Sequence, residues 1–332
     1  MTRAVLGVDV GGTKTAAVLA TSVGEVIGRR RCGGGNYQAI GLEPAREVYA
    51  EAVGPLIAQA ADLGLSVDAA AFGLCGLDRP VDEARLAEII APLVDTETQT
   101  ILVNDTALIL RAGTRDGVGV AVVSGTGSNC LGQGPDGAQA RIGGFGHGFG
   151  DDGSAEDIGR EGARAAFRAE DGRGEATSLG PLLVARYALD HLYDLVDHFL
   201  VDAPDGQASM GALAPLVFEA ALSGDGVCQA ILREAGEELG CAAVVVGKKL
   251  FSPAAAMPLV LGGSVWQRGK GETMREAFMQ TVVEAFPAAT VSTLTGPPVM
   301  GALLLAIDSL EPEAGRSIEV RQRLLSGLEV SP

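Results

Sequence analysis

The stretch Gly7-Val8-Asp9-Val10-Gly11-Gly12-Thr13-Lys14-Thr15 follows an apolar run that begins at Ala4, and a second apolar run continues to Ala20. Two such runs joined by a short glycine-rich segment predict a strand–turn–strand hairpin. The first strand ends in a carboxylate, and the turn offers glycine amides and hydroxyls. This arrangement suits a nucleotide phosphate, with Asp9 holding Mg²⁺ through water. Taken alone, the motif is equally compatible with an ordinary glycine-rich turn.

A second stretch, Ser124-Gly125-Thr126-Gly127-Ser128, has the same chemistry between the apolar run Val118–Val123 and the strand-like Asn129–Gln133. We infer a duplication in which each half of the chain opens with a Gly/Thr hairpin. Two such hairpins can face each other across a cleft and clamp a polyphosphate chain.

Strands and helices alternate outside the hairpins, which predicts an α/β fold. At about 100–200 residues per domain, 332 residues suggest two domains. We place them at 1–113 and 114–310, with a C-terminal helix in 311–332 packing back on the first. The further predicted strands are Val26–Arg31, Ala69–Leu74, Thr100–Val103 and Pro258–Leu261. The predicted helices are Pro44–Leu63, Asp82–Ile90, Gly159–Ala169, Pro181–Val196, Ala212–Ala221, Cys228–Leu250, Gly271–Ala285, Pro298–Ile307 and Arg316–Leu325.

Composition excludes several classes of protein. The chain has 25 Lys+Arg against 42 Asp+Glu, a net charge of −17, which excludes an ordinary basic nucleic-acid binder. Its five cysteines show no CxxC pair and no Cys/His ligand spacing, so we expect buried thiols in a reducing compartment and no structural zinc. Asp9 and Lys14 interrupt the N-terminal apolar run, and no stretch reaches the about 18 apolar residues of a membrane helix. We expect a cytoplasmic protein without membrane or nucleic-acid partners.

Two familiar nucleotide motifs are absent from the sequence. A Walker loop needs Gly-Lys-Ser/Thr, whereas Thr13 separates Gly12 from Lys14. The segment from Gly144 to Phe149 fails the dinucleotide pattern, because Phe149 stands where its last glycine belongs.

Two carboxylate positions have both a functional and a structural interpretation. Asp105 follows the apolar Ile101–Val103, at the end of a predicted strand where α/β proteins bind ligands, but it equally suits a helix N-cap. The pair Asp151-Asp152 follows a glycine-rich segment and equally suits an acidic cap for a helix starting near Ala155.

The segments DVGGTKT, NDTA, SGTGSNC, GGFGHGFGDDGS and LGGSVW, in this order, resemble those of the N-acetylglucosamine kinases, members of the BadF/BadG-type ATPases in the actin, hexokinase and Hsp70 superfamily. The resemblance covers about residues 4–305. It implies two RNase-H-like domains around a central cleft that binds ATP, Mg²⁺ and a sugar, and we expect a homodimer.

The resemblance also implies roles for individual residues. Asp105 would be the catalytic base, and Asp9 would hold Mg²⁺ through water. The implied nucleotide-binding residues are Gly11, Gly12, Thr13, Lys14, Gly125, Thr126, Gly127, Gly262, Gly263 and Ser264, the last three beside adenine. The implied sugar-binding residues are Asn36, Asp105, Ser128, Asn129, Gly144, Phe145, Gly146 and Asp151.

The implied reaction is phosphorylation of the 6-hydroxyl of N-acetylglucosamine, with two other sugars left open. Glu156 and Asp157 stand where the family tends to have an aromatic residue, and their charge favours the amine of glucosamine. The same charge disfavours N-acetylmuramic acid unless a basic residue such as Arg79 or Arg160 lies nearby. Two alternatives on this fold are an ATPase that activates a radical dehydratase, for which the cysteines lack a cluster-binding pattern, and a non-catalytic sugar sensor.

Overall fold

A computed structural model describes residues 3–201 and 209–329 and shows an α/β protein with two five-stranded sheets. Two compact units are present. Unit 1 comprises Met1–Ala121, Pro135–Gly137 and Leu294–Pro332, and unit 2 comprises Val122–Gly134 and Ala138–Thr293. Residues 294–310, predicted to belong to the second domain, thus group with unit 1.

The strands and helices follow one another along the chain with 3-10 turns between some of them. The strands are β1 (Ala4–Val10), β2 (Lys14–Thr21), β3 (Val26–Gly33), β4 (Val67–Leu74), β5 (Gln99–Asn104), β6 (Gly119–Ser124), β7 (Ser128–Gln133), β8 (Gln139–Gly143), β9 (Pro258–Gly262) and β10 (Thr290–Thr293). The helices are α1 (Tyr37–Ile40), α2 (Leu42–Asp62), α3 (Pro80–Ile90), α4 (Asp105–Gly113), α5 (Ala155–Glu170), α6 (Leu179–Tyr187), α7 (Leu195–Leu200), α8 (Ala214–Leu222), α9 (Gly226–Leu250), α10 (Ser264–Arg268), α11 (Thr273–Ala285), α12 (Val299–Leu310), α13 (Pro312–Gly315) and α14 (Ile318–Glu329).

The sheet of unit 1 has the strand order β3-β2-β1-β4-β5. The strands β1, β2 and β3 are antiparallel neighbours, whereas β4 and β5 run parallel to β1. Parallel strands place their carboxyl ends at one edge of the sheet, so the loops after β1, β4 and β5 emerge together. The apolar side chains of β1 and β4 are almost fully buried, as expected for strands covered on both faces.

The sheet of unit 2 repeats this order. From β8 it runs β8-β7-β6-β9-β10, so its hairpin strands and parallel strands occupy the positions of their counterparts in unit 1. The strands β7 and β8 are antiparallel, and β9 and β10 are parallel. This repetition agrees with the duplication inferred from the two Gly/Thr stretches.

Several elements differ from the sequence-based expectation. The predicted helix Pro181–Val196 is two helices, because Ala188 adopts a left-handed conformation with φ 52° and ends α6. The break lets the Tyr187 ring pack on His198, with ring centroids 4.6 Å apart. The strands β8 and β10 were not predicted, since QARIG and TVST lack a clear apolar pattern.

Within the described residues, no single helix is long and apolar enough to cross a bilayer. One pair, Met210–Leu222 with Gly226–Leu250, meets the length and composition criteria jointly but is bent by 117°.

A buried ion pair secures the C-terminal segment of unit 1. Arg111 on α4 is 2% exposed, and its Nε donates to Asp308 Oδ2 on α12 at 2.6 Å. Its Nη2 donates to Asp308 Oδ1 and to the Gly315 carbonyl, at 3.0 and 2.7 Å. Removing one partner of such a pair leaves a buried charge without compensation.

We therefore expect Asp308→Ala to lower the free energy of unfolding by about 2–4 kcal/mol. The matched control is Glu313→Ala, which breaks the Glu313–Arg316 pair of the same segment, whose side chains are 86% and 44% exposed. Exposed pairs contribute little, so the control should change the stability by less than about 0.5 kcal/mol. Thermal and urea unfolding measure both variants, and equal losses would show that the buried pair has no special role.

Candidate active site

Two carboxylates, Asp9 and Asp105, lie at the same edge of the sheet of unit 1. Asp9 on β1 is paired with Gly73 on β4, and Leu74 is paired with Asn104 at the end of β5. Asp105 directly follows as the first residue of α4. The parallel register therefore brings to one edge two carboxylates that are far apart in the sequence.

The environment of Asp9 disfavours its charged form. Burial raises the pKa of Asp9 to about 6, and the positive charge of Lys14 only partly opposes this rise. A buried carboxylate with a raised pKa is typical of a functional site. A bound cation would remove this penalty.

The turn between β1 and β2 presents backbone groups at the surface. The Gly11 amide donates to the Lys14 carbonyl at 2.9 Å, and the Gly35 amide donates to the Gly11 carbonyl at 3.1 Å. Gly12, Thr13 and Lys14 are exposed. A Cβ at Gly12 would meet no atom within 4 Å, so this glycine is not required by the packing of the protein itself.

The N-cap interpretation of Asp105 is wrong, because Asn104 caps α4. The Asn104 Oδ1 accepts from the Thr106 amide at 3.0 Å, and its Nδ2 donates to the Leu77 carbonyl at 3.2 Å. Asp105 is half-buried beside Cys75, whose thiol pKa is raised first by burial and then by the charges of Asp105, Asp9 and Asp78. Three carboxylates therefore lie near the end of β4.

Asp78 is a member of this group that sequence reasoning missed. Its Oδ1 accepts from Asn104 Nδ2 at 3.1 Å, and its Oδ2 accepts from Gln38 Nε2 at 3.3 Å. Gln38 lies two residues after Asn36, and Asn36 Oδ1 caps α1 by accepting from the Gln38 amide at 3.0 Å. Asn36, Asp78 and Asp105 thus lie on connected loops, and the only sequence signal was an acidic residue after a predicted strand.

A buried carboxylate organises the next turn of this loop. Asp82 has no exposed surface and accepts from Tyr37 Oη at 2.5 Å. It also accepts from Arg79 Nη2 at 2.7 Å and from the amides of Asp78 and Arg79. Hydrogen bonds from Arg79 hold the pKa of Asp82 far below its usual range.

In unit 2, the second Gly/Thr turn contacts the loop after β9. The Gly125 amide donates to the Gly127 carbonyl at 2.9 Å, and the Gly125 carbonyl accepts from the Ala155 amide at 2.8 Å. Gly263 has φ 97°, and a Cβ there would lie 2.3 Å from the Ser124 carbonyl oxygen. The predicted phosphate residues Gly125, Thr126 and Gly127 are therefore next to the predicted adenine residues Gly262, Gly263 and Ser264.

Asp151 connects the same turn with the glycine-rich loop. It is 5% exposed and accepts from the amides of Gly144 and Phe145 at 3.0 and 3.1 Å, and from the Ser128 amide at 3.4 Å. The acidic-cap interpretation of Asp151 is wrong, because the N-cap of α5 is Ser154. A Cβ at Gly127 would lie 2.7 Å from Asp151 Oδ2, so a substitution at Gly127 also disturbs the carboxylate.

The remaining predicted sugar residues of unit 2 lie around this carboxylate. Gly144 has φ 80°, and a Cβ there would lie 2.7 Å from Asn129 Nδ2. Phe145 is 51% exposed, and the Arg141 guanidinium lies 5.2 Å from its ring centroid. The next residue, Gly146, is also exposed. Unit 2 therefore brings together hydrogen-bonding groups and an accessible aromatic face.

Glu156 and Asp157, which the sequence analysis considers as partners of a substrate amine, are both engaged within unit 2. Glu156 accepts from Ser209 Oγ at 2.6 Å and from the Met210 and Gly211 amides at 3.1 and 3.0 Å. Asp157 accepts from the Gly153 amide at 2.8 Å and from Arg160 Nη2 at 2.6 Å. These carboxylates stabilise the start of α5 and the segment that begins at Ser209.

The donor set of unit 1 fits a magnesium-bound phosphate. The exposed β1–β2 turn next to Asp9 carries backbone groups of the kind that suit phosphate oxygens. Among residues 3–201 and 209–329, no group of three or more His, Cys, Asp and Glu side chains could hold a metal. Mg²⁺ is typically held by one or two carboxylates, water and substrate phosphates, which agrees with Asp9 as its protein partner.

Known proteins resemble this chain over most of its length. An N-acetyl-D-glucosamine kinase of Dictyostelium discoideum is 29% identical over 314 residues, covering 92% of this chain and 98% of the relative. An N-acetylmuramic acid/N-acetylglucosamine kinase of Clostridium acetobutylicum is 28% identical over 305 residues, covering 91% and 97%. A Chromobacterium violaceum crystal structure, provisionally assigned as an N-acetylglucosamine kinase, has a TM-score of 0.68 at 26% identity and covers 92% of this chain and 99% of its own.

The model of one protein family extends over nearly the whole sequence. It matches residues 6–306, which include both Gly/Thr turns, Asp105 and Asp151. The chain belongs to the BadF/BadG/BcrA/BcrD ATPase family.

Proposed function

We propose that the protein is an ATP-dependent sugar kinase that phosphorylates the 6-hydroxyl of N-acetylglucosamine. The observation that carries the proposal is the position of Asp105 at the carboxyl end of β5, at the same edge of the sheet as Asp9 and the β1–β2 turn. Relatives that cover more than nine-tenths of the chain are named as kinases of N-acetylated amino sugars.

In this mechanism, Asp105 is the general base. Its carboxylate accepts the proton of the sugar's primary hydroxyl as that oxygen attacks the γ-phosphorus of ATP. The bond from the γ-phosphorus to the β–γ bridging oxygen breaks, and ADP leaves. Asn104 keeps Asp105 in place, because it caps α4 and bonds to the loop after β4. Mg²⁺, when bound, neutralises phosphate charge next to Asp9. The amides of the β1–β2 turn stabilise part of the remaining negative charge on the phosphates.

The sugar is recognised by groups that the protein holds in place before binding. Asp151 fixes the Gly144–Phe145 backbone, so the Phe145 ring stays available for the apolar face of a pyranose. In unit 2, Asn129 provides an amide group for the ring hydroxyls. Because Glu156 and Asp157 are engaged elsewhere, the proposal favours the N-acetylated sugar over glucosamine.

Two further features belong to the proposal. We expect a homodimer that acts in the cytoplasm, where ATP is available. The partners are then ATP, the sugar and a second copy of the chain.

We expect Asp105→Asn to lower kcat for N-acetylglucosamine by about 10²–10⁴-fold, the usual effect of removing a positioned base. Affinities for sugar and nucleotide should stay within about threefold, because the cap of α4 is Asn104 and the substitution retains the side-chain shape. A coupled ADP assay over a sugar panel, with calorimetry, measures both quantities.

The control for this prediction is Asp62→Asn, the same chemical change at an exposed position at the end of α2. Full turnover in Asp105→Asn would exclude the base assignment. Absence of sugar-dependent ADP formation by the wild type would exclude the kinase itself.

We expect Gly12→Ala to weaken ATP binding by about tenfold or more while leaving sugar binding unchanged, because a methyl group there occupies space near phosphate oxygens. The new Cβ meets no protein atom within 4 Å, so packing strain does not explain a loss. Gly54→Ala on α2 is the control, since its Cβ is equally uncrowded. Unchanged ATP affinity in Gly12→Ala would contradict the phosphate assignment of this turn.

The raised pKa of Asp9 predicts that the free energy of unfolding of the metal-free protein depends on pH. Since burial raises its pKa to about 6, the charged carboxylate destabilises the fold above that pH, and protonation relieves the cost as the pH falls. Asp9→Asn should therefore be more stable than the wild type at pH 8, by about 1–3 kcal/mol, with the difference shrinking between pH 6 and pH 4. Urea unfolding in EDTA measures it, and a difference independent of pH would refute the assignment.

A further inference from the structure

The loop that follows β4 carries a carboxylate to which the proposed reaction assigns no role. Asp78 is half-buried, and its two oxygens accept hydrogen bonds from different segments of unit 1. Its Oδ1 accepts from Asn104 Nδ2 at 3.1 Å, and its Oδ2 accepts from Gln38 Nε2 at 3.3 Å. One side chain therefore bridges the end of β5 and helix α1, which are distant in the sequence.

The bond from Asn104 to Asp78 determines which way round the Asn104 amide lies. An asparagine amide has an oxygen that accepts and a nitrogen that donates, at two ends of similar shape. The Asn104 nitrogen donates to Asp78 and, at 3.2 Å, to the Leu77 carbonyl. A hydrogen bond to a carboxylate is about twice as strong as one to a neutral carbonyl, so Asp78 favours this orientation more than Leu77 does.

The orientation of Asn104 bears directly on the proposed base. Asn104 is the N-cap of α4 and Asp105 is its first residue, and the Asn104 oxygen accepts from the Thr106 amide at 3.0 Å. With the side-chain amide reversed, its nitrogen would face the Thr106 N–H, and the cap would be lost. A displacement of about 1 Å can lower the rate of an enzyme about 100-fold, so the cap matters for a base that directly follows it.

The other oxygen of Asp78 is tied to the loop that contains Asn36, a residue predicted to contact the sugar. Gln38 Nε2 donates to the Gly76 carbonyl at 3.1 Å as well as to Asp78, and the Gln38 amide donates to Asn36 Oδ1 at 3.0 Å. Gly76 has φ 83°, and a Cβ there would lie 2.8 Å from Asn36 Oδ1. The loop after β4 and the Asn36 loop are therefore in direct contact.

The position of Asp78 is fixed, although its charge is unfavourable there. The Asp78 amide donates to Oδ2 of the buried Asp82 at 3.2 Å, which holds the loop. The charges of Asp78, Asp9 and Asp105 all act on the Cys75 thiol, and like charges that lie near one another repel. This repulsion reduces the gain in stability from the two hydrogen bonds, so stability alone is a weak explanation for the bridge.

We propose that Asp78 is a positioning residue for the phosphoryl transfer. It acts on the base Asp105 through Asn104. It acts on Asn36 through Gln38. The inference rests on the proposed function, because it requires Asp105 as the base. The two contacts have separate kinetic effects, since the first acts on kcat and the second on the KM for the sugar.

The experiment compares the steady-state kinetics of N-acetylglucosamine phosphorylation in the wild type and three variants. We expect Asp78→Ala to lower kcat by about 10–100-fold and to raise the KM for the sugar. Gln38→Ala removes only one of the two contacts, so it should raise this KM by about 3–10-fold and change kcat by less than about twofold. Asp78→Asn should recover only part of kcat, because an amide offers one acceptor oxygen to two donors.

The matched control is Asp95→Asn, which removes a carboxylate charge at an exposed position before β5. It should leave kcat and KM within about twofold of the wild type. The melting temperature of each variant shows how much of it is folded at the assay temperature. If Asp78→Ala changed the kinetics no more than the control, or only in proportion to its unfolded fraction, the inference would be wrong.

A double variant distinguishes positioning of the base from an independent effect of Asp78. In the Asp105→Asn background, Asp78→Ala should lower kcat by less than about threefold, because the base on which Asp78 acts is already absent. A further loss as large as that in the wild-type background would overturn the inference.

The same series separates this inference from the proposed function. A wild type that phosphorylates the sugar and loses its rate in Asp105→Asn, but not in Asp78→Ala, would retain the kinase and reject the role of Asp78. A wild type without sugar-dependent ADP formation would reject the kinase, and the role of Asp78 with it.

Discussion

The parallel pairing of β1, β4 and β5 is the constraint on which the site of unit 1 depends. Because Asp9 is level with Gly73, and Leu74 with Asn104, the three strands end at one edge of the sheet. Their following loops supply the glycine-rich turn, the Cys75–Arg79 segment and Asp105. A shift of the register by one residue would turn Asp9 to the opposite face of the sheet. The positions of Asp9 and Asp105 are therefore set by the backbone hydrogen bonds of the sheet.

In unit 2, a buried carboxylate rather than strand pairing fixes the position of the glycine-rich loop. Its strands repeat the order of unit 1, but a buried side chain, Asp151, fixes the glycine-rich loop by accepting three backbone amides. Gly143 and Gly144 both have φ near 80°, which other residues rarely adopt. Such a loop cannot be held by regular secondary structure, so a carboxylate acceptor replaces the missing strand partners.

Local pattern predicted the strands β1 and β4 and the glycine-rich turns, because their signals lie within a few neighbouring residues. It could not decide which residue of Asn104-Asp105 caps α4, since both side chains suit an N-cap. It also could not show the structural contacts of Glu156, whose hydrogen-bond donors come from residues 209–211, more than fifty positions later. Asp78 was missed for the same reason, because its partners Gln38 and Asn104 come from distant segments. Contacts of this kind have no signature in a single sequence.

The carboxylates of unit 1 differ in how their charge is compensated, and this difference separates structure from function. Asp82 has an arginine, a tyrosine and two amides, so its charge stabilises the fold. For Asp9 the cost of burial exceeds the favourable effect of Lys14, so its charge destabilises the fold. A bound cation would remove the cost of keeping the Asp9 charge buried. A protein of net charge −17 exerts no long-range attraction on a polyphosphate. Binding of ATP by this chain would therefore depend on short-range partners, the turn amides and the cation beside Asp9, rather than on the overall field of the protein.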